Sequence, residues 1–246
     1  MAQCSDAAMV LFYDIDGETS DHDYWHSYEH FHERLSVPGF LRATRWIATK
    51  GAPRYLVTYE VTDVDVARSQ PYLDRLNAPS DWTSEMMPRF RGMVRGFCRV
   101  AASAGFGLGR SVAALRFTPE DGREQAVIDW LGGQMAPFLA SQRGAVSAQL
   151  LRPEPPPPMT REQALRGADQ AMPWVFLLHG YDPDTLDLLR KTYLGAQHLK
   201  EHGIKDVTVG RYTFHSTASA QEVRRTEKPR ALSQAERNSG GPDLDQ

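Results

Sequence analysis

With 246 residues and 41% hydrophobic side chains, the chain carries enough apolar material for one large domain or two small ones. A net charge of −3 offers no general attraction to nucleic acid or anionic lipid, and no apolar run reaches the ~18 residues of a transmembrane span. The first residues, Met1 to Asp6, lack the basic and apolar regions of a signal peptide. Cys4 and Cys98 are too few for a disulfide framework or a structural zinc site. A cytoplasmic protein with no cofactor and no metal is therefore expected.

Met9–Tyr13 is a short apolar run suited to a buried strand, closed by a turn at Asp14, Asp16 and Gly17. Ser20 or Asp21 can cap a helix that runs to Leu35 and stops at Pro38-Gly39. Residues 40–49 and 54–62 read as two strands. A second helical region opens at Asp63 or Asp65 and is broken by Pro71, Pro79 and Pro88. Residues 93–100 form a fourth strand. The glycine-rich stretch 101–109 reads as a linker.

The second half repeats the order. Residues 111–117 read as a strand and 123–140 as a helix, with Val127, Ile128, Leu131, Met135 and Leu139 at helical spacing. A strand pair follows at 146–151 and 174–181, then a helix over 184–202 and a last strand over 207–215. Residues 153–172, with four consecutive prolines from Pro155, lengthen the hairpin as a lid, a binding loop or a plain spacer. The charged tail from Thr217 reads as disordered. The expectation is an α+β chain with two ferredoxin-like β-α-β-β-α-β repeats, 8–100 and 110–215, followed by a tail over 216–246.

Tyr24 to Phe40 combines an aromatic-rich helix, a late histidine, a leucine and a Pro-Gly entry into a strand, here Trp25, His30, Leu35 and Pro38-Gly39. In this the chain resembles the dimeric α+β barrel superfamily, and within it the EthD-like group. Members commonly pair two single-repeat chains, so a tandem chain implies the same barrel built within one polypeptide. Aligning Pro38-Gly39 with Arg143-Gly144 sets Met135 opposite His30, which implies one histidine-bearing pocket. The superfamily includes cofactor-free monooxygenases, isomerases, lyases and haem-dependent enzymes, so the fold alone does not choose the reaction.

His22, His26 and His30 are spaced i, i+4, i+8 and can share a helix face. His22 and His32 read as surface residues, and His26 and His30 as acid–base candidates. His179 sits in an apolar strand, as either a satisfied core group or an acid–base group, and His215 ends the last strand. Strand alternation turns Met93, Arg95, Phe97 and Arg99, with Val209, Arg211, Thr213 and His215, toward the barrel cavity. Gly92, Val94, Gly96 and Cys98 then lie under helices. Arg95, Arg99, Arg211, Trp46, Tyr59 and Phe97 are the substrate-binding candidates, suited to an aromatic carboxylate or phenolate; the alternative is that the arginines pair with Asp14, Asp16 or Glu60.

The favoured reading is a cofactor-independent lyase or isomerase acting on an aromatic or polyketide-like compound, with His30 as general acid/base, assisted by His26, His179 or His215. A cofactor-free monooxygenase, a non-catalytic binding protein of a catabolic pathway and a haem protein are the alternatives. Expected partners are the small substrate and a second copy joined through sheet edges, with no nucleic acid and no membrane.

Overall fold

The computed structural model describes residues 5–50 and 53–227. The first half supplies β1 (Ala7–Ile15), β2 (Phe40–Lys50), β3 (Tyr55–Val61) and β4 (Phe90–Gly105), and the second β5 (Ser111–Pro119), β6 (Ala145–Pro153), β7 (Trp174–Gly180) and β8 (Ile204–Ser219). They close into an antiparallel barrel in the order β1-β3-β2-β8-β5-β7-β6-β4. Each half thus forms a four-stranded ferredoxin-like sheet. Two seams join the halves: β4 with β6, from Cys98 opposite Pro153 to Gly105 opposite Ser147, and β2 with β8, from Arg42 opposite Ser219 to Ala48 opposite Tyr212.

Those seams correct two expected boundaries. Residues 101–105 belong to β4, so only 106–110 connect the halves. β8 continues to Ser219, and a short helix follows it, capped by the reciprocal bonds of Ser219 and Glu222. Small and polar residues made both stretches read as linker or tail. Their backbones nevertheless pair with the opposite half, and ladder hydrogen bonds do not need apolar side chains. The rest of the expected tail, residues 228–246, lies outside the described residues, as do Cys4 and the hinge residues 51–52.

On the first sheet lie α1 (Thr19–Trp25), a π-helical turn over His26–His30 and α2 (Phe31–Leu35), which form one continuous rod. α3 (Gln70–Asn77) and α4 (Asp81–Met86) complete that layer. On the second sheet, α5 (Glu124–Val127), a π-helical segment Ile128–Met135 and α6 (Ala136–Ala140) repeat the rod. His30 and Met135 each end their π segment, the correspondence implied by the repeat. α7 (Arg161–Arg166) lies inside the insertion. α8 (Pro183–Tyr193) and α9 (Ala196–Glu201) divide the single helix expected over 184–202, and α10 (Ala220–Arg225) ends the described chain. Both rods end at a glycine with positive φ, Gly39 at +97° and Gly144 at +93°.

An eight-stranded barrel encloses a space just wide enough for side chains to fill. The interior is packed by residues from every strand, including Phe12, Trp46, Leu56, Val94, Val112 and Tyr212. This reverses the expected faces. Val94 and Cys98 point into the barrel, whereas Met93 and Phe97 pack in the helix-side core with Trp25, Phe31 and Tyr72. Alternation separates the two faces of a strand but does not say which is which when both are buried; along β4 the interior takes the smaller set. Among the described residues no helix is long and apolar enough to cross a membrane.

Candidate active site

Residues four apart on an α-helix drift by about 40° around its axis. The π-helical turn, with its wider i→i+5 hydrogen bonding, offsets that drift. It keeps His22, His26 and His30 facing the sheet, with ring centroids 5.4 and 5.3 Å apart along the series. All three are buried, which corrects the surface placement expected for His22. That ring links Tyr13 to Asp23: its Nδ1 lies 3.1 Å from the Asp23 carboxylate, so Nε2 accepts from the Tyr13 hydroxyl at 3.2 Å.

The next step of the same series is Arg34. Together, His26, His30 and Arg34 line a cavity between the rod and the outer face of the sheet, closed opposite by Tyr59, Tyr72 and Arg95. Burial pulls His26 well below the ordinary imidazole value, helped by the Arg45 charge. It does the same to His30, helped by Arg34. Both rings are therefore neutral at neutral pH, and the Nδ1 atom of each lacks a hydrogen-bond partner. The nearest carboxylate to His30 is Glu33, 4.0 Å from Nδ1, beyond hydrogen-bond reach.

Arg34 is 2% exposed. Its Nη2 donates to Glu162 on α7, while its Nη1 is buried with no partner. Desolvation opposes its charge, but the Glu162 carboxylate more than restores it. The Tyr59 hydroxyl is also buried and unpartnered, and burial drives its pKa far upward, so it stands as a neutral donor. Arg95 donates to Tyr72 at 2.9 Å and to Asp169 Oδ2 at 3.1 Å, and Arg166 donates to both Asp169 oxygens, each at 2.9 Å. Desolvation raises Asp169, but its bonds and charge contacts with Arg166 outweigh that and leave it low.

The free space here is about 20 Å³, room for about one water. A second cavity of about 570 Å³ lies between the insertion and β4, and Arg95 lines both. The insertion is tied to β4 at each end, where Glu154 N donates to Phe97 O and Gln170 N to Met93 O, each at 2.8 Å.

The structure thus brings His26, His30, Tyr59 and Arg95 to one cavity. Phe97 stacks edge-on against Tyr72 and lines the larger cavity. Trp46 and His179 lie across the sheet in the barrel interior, their rings 5.3 Å apart. His179 donates to Gln149 at 3.2 Å, and burial lowers its pKa to about 3. Its Nδ1 is buried without a partner, and the ring belongs to the barrel interior, apart from the cavity. His215 lies on the outer side of the sheet, where its Nδ1 accepts from Arg45 at 2.9 Å. Arg45 also holds the Asp23 carbonyl and Ser27, so the pair ties the β2–β8 seam to the rod. Arg99 is exposed and pairs with Glu154 at 2.9 Å, and Arg211 pairs with Asp187 at 3.5 Å. Pairing is therefore the fate of these arginines, with other acids than expected.

Arg34, Tyr72, Glu162, Arg166 and Asp169 were not among the sequence candidates. Arg34 had a signal, the continued four-residue spacing after His30. Glu162 had none, being 128 residues away in the chain. Among the described residues no group of three or more His, Cys, Asp or Glu side chains is arranged to hold a metal ion.

No family model and no curated protein matches the sequence. Solved structures do match in fold. An anthrone oxidase-like protein superposes with a TM-score of 0.61 at 12% identity, over 87% of this chain and 93% of that one. A putative monooxygenase from Lactobacillus acidophilus NCFM gives 0.55 at 14% identity, over 87% and 96%. A putative chlorite dismutase gives 0.52 at 10% identity, over 88% and 96%. The chain therefore has the dimeric α+β barrel fold, built within one polypeptide from two ferredoxin-like halves.

Proposed function

We propose that the helix–sheet cavity is the active site of a cofactor-independent enzyme that removes a proton from a small aromatic or polyketide-like compound. One observation carries this reading: two neutral, buried imidazoles with unpartnered Nδ1 atoms share a closed space with an arginine and a tyrosine that each hold a spare donor. A neutral imidazole in a dry site is ready to accept a proton, and a cation beside it stabilises the anion left behind.

His30 takes the proton from an acidic C–H or O–H. The electron pair delocalises onto a substrate oxygen that accepts from Arg34 Nη1 and the Tyr59 hydroxyl. The imidazolium and the anion form together, so the site gains an ion pair and no net charge, which offsets the desolvation that depresses the imidazole. Return of that proton at another atom, or expulsion of a leaving group, gives an isomerase or lyase.

Oxygenation is the second reading, favoured by likeness to proteins titled monooxygenase and anthrone oxidase-like. There dioxygen adds at the carbanion carbon, and loss of water from the hydroperoxide leaves a carbonyl. Both readings begin with the same proton transfer. The cavity as it stands, at about 20 Å³, does not hold a haem macrocycle.

The test uses activated aromatic ketones, anthrone among them, in deuterated buffer. Enzyme-catalysed exchange of the acidic C–H without oxygen uptake supports a lyase or isomerase. Exchange accompanied by stoichiometric oxygen uptake supports the oxygenase. Binding of these compounds with neither event overturns the enzymatic reading and leaves a binding protein.

A further inference from the structure

Among the described residues Glu162 is the one acidic side chain lining the helix–sheet cavity, and it reaches there from the insertion, not from the barrel or its helices. We infer that its carboxylate stands in for the anionic group of the ligand, so that the site takes a monoanion, a carboxylate or phenolate, by exchange with Glu162 as α7 swings out. This rests on the reading of that cavity as the ligand site.

The closed cavity, at about 20 Å³, cannot take an aromatic ring; a dry cavity on the order of 150 Å³ is what holds benzene. Something must therefore move, and α7 is the wall that the insertion supplies, outside the barrel and its repeated helices. Its amphipathicity is inverted. Glu162 and Gln163 are buried, whereas Ala164 and Leu165 are exposed, so little apolar surface holds the helix down. What holds it is polar: Glu162 on Arg34, the Asn77 side chain accepting from Arg161 N at 3.0 Å, and the Asp169 cluster. Pro155–Pro158 form a stiff extended arm on one side. Gly167, with φ +94° and open space around it, is a pivot on the other.

Charge selects the ligand. Three arginines, Arg34, Arg95 and Arg166, face Glu162 and Asp169 around the cavity. When Glu162 leaves, a buried guanidinium loses the carboxylate it is paired with, a strongly unfavourable state. A neutral ligand does not repair it. A monoanion takes over the Glu162 contact at Arg34 Nη2 and leaves Nη1 for the substrate oxygen of the proposed reaction.

The experiment measures binding of benzoate and 2-naphthoate, each against its neutral amide, to the full chain by calorimetry. Backbone hydrogen exchange over 160–167 is followed in parallel. The expected result is at least tenfold preference for each acid, with faster exchange in α7 when the acid is bound. In Glu162→Gln, whose Arg34 is no longer neutralised, affinity for the acids rises about tenfold and affinity for the amides does not change. Equal affinity for acid and amide overturns the inference, as do binding of neither probe, protection of α7 by the acid, and an unchanged Glu162→Gln. The wild-type exchange measurement stands if that variant fails to fold. Proton exchange on a neutral ketone by a protein indifferent to Glu162→Gln leaves the proposed function intact and removes only this inference. Acid-selective opening without any proton exchange does the reverse.

Discussion

At the level of single residues, burial outweighs the intrinsic basicity of imidazole. His30 is 7% exposed and lies beside Arg34, and both effects favour its neutral form. A base that must be neutral to act works above its pKa. Lowering that pKa therefore moves the acid limb of kcat/KM to lower pH. The expected profile for proton exchange stays flat through about pH 6.5, where an ordinary histidine takes up its proton, and falls only below it. A limb at or above that value contradicts the assignment of His30 in this environment. The chemistry of individual residues was only partly legible in the sequence. His26 and His30 were visible as a spaced pair and Arg95 as a candidate cation. Glu162 and Asp169 were hidden because charge pairing across so long a chain separation leaves no local pattern.

At the element scale, the two rods end alike. Gly39 has φ +97°, and a Cβ there would lie 2.5 Å from Val66 Cγ2. Gly144 has φ +93°, and its Cβ would meet Thr185 Cγ2 at the same distance. Left-handed backbone costs a side-chain-bearing residue about 1–2 kcal/mol, and the contact adds to it. Gly39→Ala should lower stability by about 2–3 kcal/mol and Tm by several degrees, measured by thermal unfolding. Gly122→Ala, with φ +75° and open space around it, should cost less. Equal losses at the two positions would remove the close packing from the explanation. Element order and these glycines were readable, since turns and strands leave local signatures. The π-helical turn was not. It changes which side of the rod faces inward without changing the residue types, so His22 read as a surface residue and proved to be buried.

At the scale of the molecule, the halves interlock through strands that each continue past its own repeat, so neither sheet is complete at its edge without the other. The sequence conveyed two repeats but not the seams, because the seam residues 101–105 and 216–219 are small or polar and gain their order from distant partners. The buried histidines of both halves carry a pH dependence. His26, His30 and His179 are held neutral, so the native state binds protons less readily than the unfolded chain. Their contribution is complete above about pH 6.5 and shrinks as pH falls, for His179 until about 3. His179 loses about 1.4 kcal/mol per pH unit inside its window. Denaturant unfolding at pH 6.0 and 5.0 should show lower stability at the lower pH, with the loss reduced by about 1.4 kcal/mol in His179→Gln. A stability that holds steady across that interval would mean these rings are not buried neutral.

Under the proposed function, one cavity, on one face of one half, removes a proton by means of His30. The direct measurement is the deuterium-exchange rate of an activated aromatic ketone with His30→Ala, compared with the wild type and with His215→Ala as a control outside the cavity. General-base catalysis contributes about 10²–10⁴-fold. The folded His30→Ala should therefore lose at least about a hundredfold, while His215→Ala exchanges at the wild-type rate. A folded His30→Ala that exchanges as fast as the wild type contradicts the account.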